Sequence, residues 1–221
     1  MISIDAYEHF SFDLWMTIIK SNPDFKPKRA ELLKGKFQIN KSLTEINSVT
    51  RRYDILFNTI SEKTGHHIPR DAVFLLILEE LGIEIQFVSL EQLDDFFYES
   101  DRMFLNHLPL IIWDGIIELL ETIKNEGKSA SILSNTAFIH GKVLREVLQR
   151  LNLYDFFSFM IFSDEVGISK PNVKIFELMY LKILDLRKLE KSQILHIGDN
   201  KLADYEGANN FKINSLLIKH K

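Results

Sequence analysis

The sequence predicts an α/β protein, in which a parallel sheet with helices on both faces is interrupted after its first strand by a helical insertion. Two patterns carry this prediction. After Pro109, short apolar runs alternate with helical stretches, an order typical of parallel strands joined by helical crossovers. Between about Lys20 and Asn106, apolar positions recur instead at three- and four-residue steps, which is typical of amphipathic helices.

The helices of the insertion are predicted from their end signals. Ser42-Leu-Thr-Glu45 is a capping-box sequence, so it opens a helix that is expected to end near Gly65. A second helix is expected over 69–81, with proline in its first turn. Ser89 opens a third helix of the same kind, which is expected to reach about Phe104.

The remaining elements alternate between strand and helix. The first strand, residues 8–13, precedes the insertion. Later strands are expected at 128–133, 158–162, 193–197 and 213–218, and helices at 115–125, 141–151 and 171–183, the last with proline at its first position. This order predicts a parallel sheet that is covered on both faces.

The composition is that of a folded protein and excludes several classes of function. The 221 residues are 46% hydrophobic and 26% charged, near the averages of globular domains. The absence of cysteine excludes a disulfide scaffold, a thiolate metal site and a cysteine nucleophile. A net charge of −4 gives no reason to expect a nucleic-acid partner. Without a secretory signal or an apolar run of roughly 20 residues, we expect a cytoplasmic protein with no membrane partner.

Polar side chains follow the predicted strands at the edge where open parallel sheets place their chemistry. Taken singly, each is ordinary turn or capping chemistry. Together they predict a site, since the carboxyl ends of parallel strands meet at one edge. The residues are Asp13, Ser134, Asn135, Lys170, Asp199 and Asp204.

The three aspartates of this set indicate metal-assisted chemistry. Gathering Asp13, Asp199 and Asp204 in one crevice is expected to raise their pKa values by mutual repulsion. Such a cluster requires cations, which Lys170 and a divalent metal would supply. Oxygen ligands favour Mg²⁺ over softer metals. Asp13 could then attack an electrophilic phosphorus or carbon and form a covalent acyl intermediate that water opens.

Four segments, in order, resemble the motifs of the haloacid dehalogenase (HAD) superfamily of aspartate-nucleophile hydrolases. They are FDLWMT at 12–17, ILSNT at 132–136, GISKPNVKIFE at 167–177 and IGDNKLADYEGANN at 197–210. The chain is most similar to the subgroup with a helical cap inserted after the first motif. The resemblance implies a Rossmann-like core domain over 1–19 and 107–221, with a helical cap domain over 20–106.

The resemblance also implies roles for individual residues. The implied catalytic set contains Asp13 as nucleophile, Ser134 and the Asn135 amide as holders of the transferring group, and Lys170 as the charge that offsets it. The implied Mg²⁺ set contains Asp13, the backbone carbonyl of Trp15 and Asp199, with Asp204 as an outer partner. These assignments make a small molecule the expected substrate.

Substrate contacts are expected from the cap, which in this family closes over the site. The basic candidates are Lys28, Arg29, Arg51, Arg52, His66 and His67. Arg51 and Arg52, together with Thr17 of the first motif, are predicted to bind substrate, although at least one of the two arginines must face solvent. His9 and His196 lie in predicted strands and are expected to be packed core histidines.

Position 15 departs from the family pattern. Typical phosphatases of the family carry a second aspartate there, which protonates the leaving oxygen and then activates water. The Trp15 indole cannot replace it, because its N–H is a donor without a useful pKa. Met16 replaces the usual glycine, so a differently shaped turn is expected. The dehalogenase branch has an aromatic residue at this position and needs no metal, but its fourth motif usually begins Ser-Ser-Asn rather than Gly198-Asp199-Asn200.

The acidic fourth motif favours Mg²⁺-dependent hydrolysis of a small phosphorylated metabolite. Two other functions stay open: a 2-haloacid dehalogenase-type carbon–halogen hydrolase, and a catalytically weak protein used for binding. A response-regulator receiver fits poorly, because it lacks a helical insertion. A dinucleotide-binding domain requires Gly-x-Gly-x-x-Gly where Trp15 and Met16 stand.

Overall fold

The computed structural model describes residues 4–219. The strands are β1 (His9–Phe12), β2 (Ile19–Lys20), β3 (Leu110–Ile111), β4 (Ser129–Ser134), β5 (Phe159–Phe162), β6 (Ile194–Gly198) and β7 (Asn214–Leu217). The helices are α1 (Phe25–Lys36), α2 (Leu43–Thr64), α3 (Arg70–Glu80), α4 (Leu90–Asn106), α5 (Ile116–Asn125), α6 (Gly141–Arg150), α7 (Ser163–Val166), α8 (Val173–Leu186) and α9 (Gly207–Asn210). A π-helical turn, Lys201–Glu206, precedes α9.

Within the described residues, five parallel strands form one sheet in the order β5-β4-β1-β6-β7. The central strand β1 pairs with β4 on one side and with β6 on the other. In this register Phe12 lies opposite Ile132 and Ile197, so the three strands end close together. The α/β class with a parallel sheet is therefore confirmed.

Helices cover both faces of the sheet. Apolar side chains of α5 and α6, including Leu120 and Leu144, pack with Phe10 and Phe12 in one cluster. Those of α8 and α9, including Phe176 and Ala208, form a second cluster on Leu133 and Ile194. Both layers exclude water from the strands, which is typical of a parallel sheet.

Helices α1 to α4 have an apolar cluster of their own. Leu33 of α1, Ile46 of α2, Phe74 of α3 and Phe96 of α4 are all buried in it, together with Phe138 from the loop after β4. The helical segment between β2 and β3 is thus packed around its own centre while it touches the end of β4.

Local end signals explain the starts of three of the long helices. Ser42 and Ser89 both form complete capping boxes, with Glu45 and Gln92. The predicted start of the last long helix at Pro171 is wrong, because α8 begins at Val173. Asn172 caps it by accepting a hydrogen bond from the Lys174 amide (3.0 Å). Among residues 4–219, every helix is too short or too polar to cross a bilayer.

Candidate active site

A buried lysine joins the carboxyl ends of the central strands. Lys170 Nζ donates to Asp13 Oδ1 (2.8 Å) and to Asp204 Oδ1 (2.6 Å). It also donates to the backbone oxygen of Leu133 in β4 (2.6 Å). Only 1% of Lys170 is exposed, so this ammonium group is held away from water by two carboxylates and a carbonyl.

Asp13 follows β1 directly and is fixed by two hydroxyl groups as well. Ser134, the last residue of β4, donates from Oγ to Asp13 Oδ1 (3.1 Å). Thr17 donates from Oγ1 to Asp13 Oδ2 (3.3 Å). The sequence prediction placed Thr17 against the substrate, whereas the structure places its hydroxyl on the side chain of Asp13.

Asn135 holds the lysine loop in position. Its side-chain amide donates to the Lys170 carbonyl (2.9 Å), and its Oδ1 accepts from the Lys170 backbone amide (2.7 Å). This paired contact fixes the backbone of Lys170 beside the end of β4. Through it Asn135 orients the ammonium group toward Asp13.

Asp204 is engaged by neighbours at both carboxyl oxygens. Oδ1 accepts from Lys170 and lies 3.1 Å from His196 Nε2, while Oδ2 accepts from the backbone amide of Asn200 (3.0 Å). His196 is fully buried in β6 and its other ring nitrogen lies 2.9 Å from Ser11 Oγ. The expected core histidine is therefore also a support for Asp204.

The two aspartates that share Lys170 have pKa values shifted in opposite directions. Burial raises the pKa of Asp13 to about 7, against the attraction of Lys170 and with the repulsion of Asp204. Burial alone would raise the pKa of Asp204 too, but Lys170 and His196 outweigh it and hold that pKa below its usual range. The expectation that repulsion would raise all the pKa values is therefore wrong for Asp204, because it has two cationic or hydrogen-bonding neighbours.

The acidic residues form a set that could hold a metal ion. One oxygen from each of Asp13, Asp199 and Asp204 lies within 4.8 Å of the others. All three donors are carboxylate oxygens, which suits Mg²⁺. Since both oxygens of Asp204 already have partners, the donor set fits a hard cation held more directly by Asp13 and Asp199.

Two adjoining cavities open around Asp13. The first, which we call the catalytic cavity, has a volume of about 370 Å³ and is lined by Asp13, Lys170, Asp199 and Asp204 together with Glu62 of α2. The second, which we call the side cavity, has a volume of about 290 Å³ and lies between the start of α1, α2, α4 and the loop after β4. Both are lined by Trp15, Met16, Asn58 and Asn135.

Trp15 and Met16 form the boundary between the two cavities. The Trp15 ring packs 6.1 Å from the Phe104 ring of α4, centroid to centroid. Met16 has a φ of 54°, in the left-handed region that favours glycine. The turn after Asp13 therefore adopts a glycine-like conformation even though methionine occupies the position.

Glu62 was missed by sequence reasoning. Asn200 Nδ2 donates to Glu62 Oε1 (2.6 Å), which ties α2 to the loop after β6. Burial and the nearby charges of Asp204 and Asp199 raise the pKa of Glu62, against the hydrogen bond from Asn200. The spacing of Ile55, Asn58, Thr59 and Glu62, all of which line the catalytic cavity, could have identified this polar face of α2.

The basic residues of the helical segment are divided between surface and cavity. Arg51 and Arg52 are exposed, and Arg52 forms an ion pair with Glu80 of α3. Neither lines the catalytic cavity or the side cavity. Arg29 and Lys26 of α1 do line the side cavity. The structure therefore places Lys26 and the candidate Arg29 at a cavity, rather than the predicted substrate-binding residues Arg51 and Arg52.

The fold and the site together define an α/β protein with a parallel sheet and a buried aspartate–lysine cluster at the ends of its strands. A family profile described as haloacid dehalogenase-like hydrolase matches residues 76–218. The chain belongs to the haloacid dehalogenase-like hydrolase family, and the resemblance seen in its motifs is confirmed.

Characterised sequences similar to this chain match it over part of their length. Haloacid dehalogenase-like hydrolase domain-containing protein 3 of Xenopus laevis is 31% identical over 107 residues, covering 48% of this chain and 41% of that protein. Pyrimidine 5'-nucleotidase YjjG of Escherichia coli is 31% identical over 97 residues, covering 43% of this chain and 40% of that protein. The match thus covers less than half the length of either relative.

Solved structures with this fold include both enzyme types weighed above. A HAD phosphatase from Thermococcus onnurineus superimposes with a TM-score of 0.61 at 20% identity, covering 96% of this chain and 86% of that chain. A 2-haloacid dehalogenase from Pseudomonas syringae pv. Tomato DC3000 gives a TM-score of 0.61 at 21% identity, again covering 96% and 86%. The two enzyme types share this fold, so the fold does not separate their activities.

Proposed function

We propose that the chain hydrolyses a small phosphorylated metabolite in an Mg²⁺-dependent reaction, with Asp13 as the nucleophile. The observation that carries this proposal is the buried Lys170 between Asp13 and Asp204, with a carboxylate oxygen of Asp199 within 4.8 Å of an oxygen of each of these two acids. A third acid beside one ammonium group leaves excess negative charge. That excess favours a bound divalent cation over a metal-free site.

Asp13 would act through a covalent intermediate. Its carboxylate attacks phosphorus while the bond to the leaving oxygen breaks, and an aspartyl phosphate forms. Water then attacks the same phosphorus, releasing phosphate and regenerating Asp13. Lys170 and Ser134 hold the Asp13 carboxylate, and the Lys170 ammonium also offsets charge on the transferring group.

Asp13, Asp199 and the backbone carbonyl of Trp15 would hold Mg²⁺, with Asp204 as an outer partner. Asp204 suits the outer position because Lys170, His196 and Asn200 already occupy its oxygens. When bound, the ion neutralises charge on the phosphoryl oxygens. The Asn135 side chain is a positioning group in this scheme, because it contacts the backbone of Lys170.

Glu62 would supply the acid and base that Trp15 cannot supply. It lines the same cavity as Asp13, and Asn200 holds one of its carboxyl oxygens. A raised pKa keeps more of Glu62 protonated near neutral pH. The protonated form can donate to the leaving oxygen, and the resulting carboxylate can accept a proton from the attacking water.

The helical segment 20–106 would be the cap domain of a core domain made of 1–19 and 107–221. Two features support this division. The segment has its own apolar cluster around Phe74 and Phe96, and the polar face of α2 reaches the catalytic cavity through Asn58 and Glu62. A cap in this position would exclude water from the reacting atoms and supply substrate contacts.

The proposal is tested by screening phosphate esters and 2-haloacids with and without Mg²⁺, in the wild type and in Asp13→Asn. We expect phosphate release that requires Mg²⁺ and falls roughly 10³-fold or more in Asp13→Asn. Halide release that EDTA leaves unchanged would instead assign the chain to the dehalogenase type, which the aromatic Trp15 favours. No turnover on either panel, with no Mg²⁺-dependent binding of beryllofluoride, would make it a binding protein.

A further inference from the structure

Arg29 is a buried cation that forms neither an ion pair nor a hydrogen bond with any of the described residues. Only 8% of this residue is exposed. Its guanidinium lies over the rings of Phe25 and Phe138, 5.3 Å and 5.0 Å from their centroids. Among residues 4–219, no carboxylate lies within 4.0 Å of it and no acceptor takes a hydrogen bond from its side chain.

Such an arrangement is unusual for a structural arginine. Burying a guanidinium costs free energy, and proteins recover that cost through an ion pair or hydrogen bonds. Ring contacts contribute attraction, but they leave the N–H donors of the fork unused. Burial lowers the pKa of Arg29 to about 10, with Asp54 acting in the opposite direction, so the group is still charged at neutral pH. Its donors therefore remain available for a ligand.

The free donors face a space that adjoins the nucleophile. Arg29 lines the side cavity, which shares four lining residues with the catalytic cavity that contains Asp13. A substrate whose phosphoryl group lies beside Asp13 would extend its leaving part past Trp15 into this space. The side cavity carries two cations, Lys26 and Arg29, against one acid, Asp54.

We infer that Arg29 binds a carboxylate on the leaving part of the substrate, an inference that rests on the proposed function. The guanidinium fork matches a planar carboxylate through paired hydrogen bonds. The substrate class is then a small phosphomonoester of a hydroxy acid, and Arg29 is a specificity-determining residue.

The experiment compares two phosphate esters of the same carbon chain. 3-Phosphoglycerate carries a carboxylate where glycerol 3-phosphate carries a hydroxymethyl group. We expect the wild type to prefer the carboxylate, and Arg29→Gln to lower kcat/KM for 3-phosphoglycerate by about 10- to 100-fold. The value for glycerol 3-phosphate should change by about threefold at most. Lys34→Gln, which removes an exposed cation from the same helix, should leave both values unchanged.

Binding without turnover separates this inference from the proposed function. In Asp13→Asn, calorimetry should show D-glycerate binding more tightly than glycerol, and Arg29→Gln should abolish that difference. Arg29→Lys keeps the charge but loses the planar fork, so its preference for D-glycerate over glycerol should lie between those measured with arginine and with glutamine at position 29. The same variant provides the test if circular dichroism shows that Arg29→Gln folds poorly. Equal binding of D-glycerate and glycerol would overturn the inference. Equal losses of kcat/KM for 3-phosphoglycerate and glycerol 3-phosphate in Arg29→Gln would overturn it as well. Failure of all phosphate release would overturn the proposed function alone.

Discussion

At the scale of single residues, the proposed reaction assigns proton transfer to Glu62, because Trp15 occupies the position where typical phosphatases of the family carry an aspartate. Trp15 stands two residues after the nucleophile and packs against Phe104. Glu62 brings a carboxylate to the same cavity from α2 and is held there by Asn200. A carboxylate from the helical segment can therefore exchange protons in the cavity that contains Asp13, while Trp15, in the loop after β1, lines that cavity with an aromatic ring.

Replacing Glu62 with glutamine should lower phosphate release by about 10²- to 10⁴-fold, the range for losing a general acid or base. Glutamine has nearly the same size, and its amide oxygen can still accept from Asn200, so the change removes proton transfer rather than packing. Steady-state kinetics measure the effect. Glu79→Gln, on an exposed position of α3, is the matched control. A wild-type rate in Glu62→Gln would refute the assignment.

A rescue experiment asks whether an acid at position 15 can replace Glu62. If Glu62 transfers the proton as proposed, Trp15→Asp should change the wild-type rate little. In the Glu62→Gln background the same substitution should restore part of the lost turnover, about tenfold or more. The comparison requires folded protein, because Trp15→Asp also removes the ring contact with Phe104. A large gain in the wild-type background would mean that Glu62 is not the acid.

The difference between Arg29 and the two arginines at 51 and 52 marks the limit of sequence reasoning at this scale. Arg51 and Arg52 lie on a helix that periodicity predicts, whereas α1, which carries Arg29, was not predicted as a separate helix. Whether an arginine meets a cavity depends on how the helices pack on one another and on the strand ends. That packing is set by contacts distant in sequence, such as Phe138 against Arg29, and no local pattern reports it.

At the scale of elements, the site is assembled by the order of strands in the sheet. Because β1 lies between β4 and β6, Asp13, Ser134 and Asp199 must come together once the strands pair. The sequence therefore predicted this part of the site well. It did not predict the lowered pKa of Asp204, because that result depends on the contacts of Asp204 with Lys170 and His196.

The end of β6 gives a prediction of its own. A Cβ added to Gly198 would collide with the side chain of Asp204, so Gly198→Ala must displace the carboxylate that holds Lys170. We expect the free energy of unfolding to fall by about 1–3 kcal/mol, and activity to fall with it. Urea denaturation and phosphate release measure the two effects.

Gly35→Ala is the control for that substitution. Gly35 lies near the end of α1 with nothing within 4 Å of an added Cβ, so alanine there should stabilise the helix by about 0.5–1 kcal/mol. We therefore expect the free energy of unfolding to fall in Gly198→Ala and to rise in Gly35→Ala. Equal stability of Gly198→Ala and the wild type would show that Asp204 does not need its present position.

At the scale of the whole molecule, the sheet buries histidines that must stay neutral. His9 in β1 is fully buried; its ring nitrogens lie 2.8 Å from Ser129 Oγ and 2.9 Å from Ser131 Oγ of β4. Burial, with a smaller effect of Arg187, lowers the pKa of His9 from 6.5 to about 3. Burial lowers the pKa of His196 as well.

These shifts fix the sign of the histidine contribution to acid sensitivity, which is opposite to that of Asp13, whose raised pKa favours the folded chain as the pH falls. Well above pH 6.5 the His9 ring is neutral in both the folded and the unfolded chain, so it adds no pH dependence. As the pH falls from 6.5 toward 3, the unfolded chain binds a proton at His9 that the folded chain excludes, so the His9 contribution to the free energy of unfolding falls. At pH 5 the loss through His9 should be about 2 kcal/mol relative to pH 8.

His9→Gln should therefore make the fold less sensitive to acid. Glutamine can still donate to and accept from the two serines but does not titrate, so the variant should lose about 2 kcal/mol less than the wild type between pH 8 and pH 5. Urea denaturation across this range measures the difference in slope, which is independent of any change in stability at pH 8. His66→Gln, at an exposed histidine, is the matched control. Parallel pH profiles for the wild type and His9→Gln would mean that the ring already binds a proton in the folded chain, with the paired serines then both acting as acceptors.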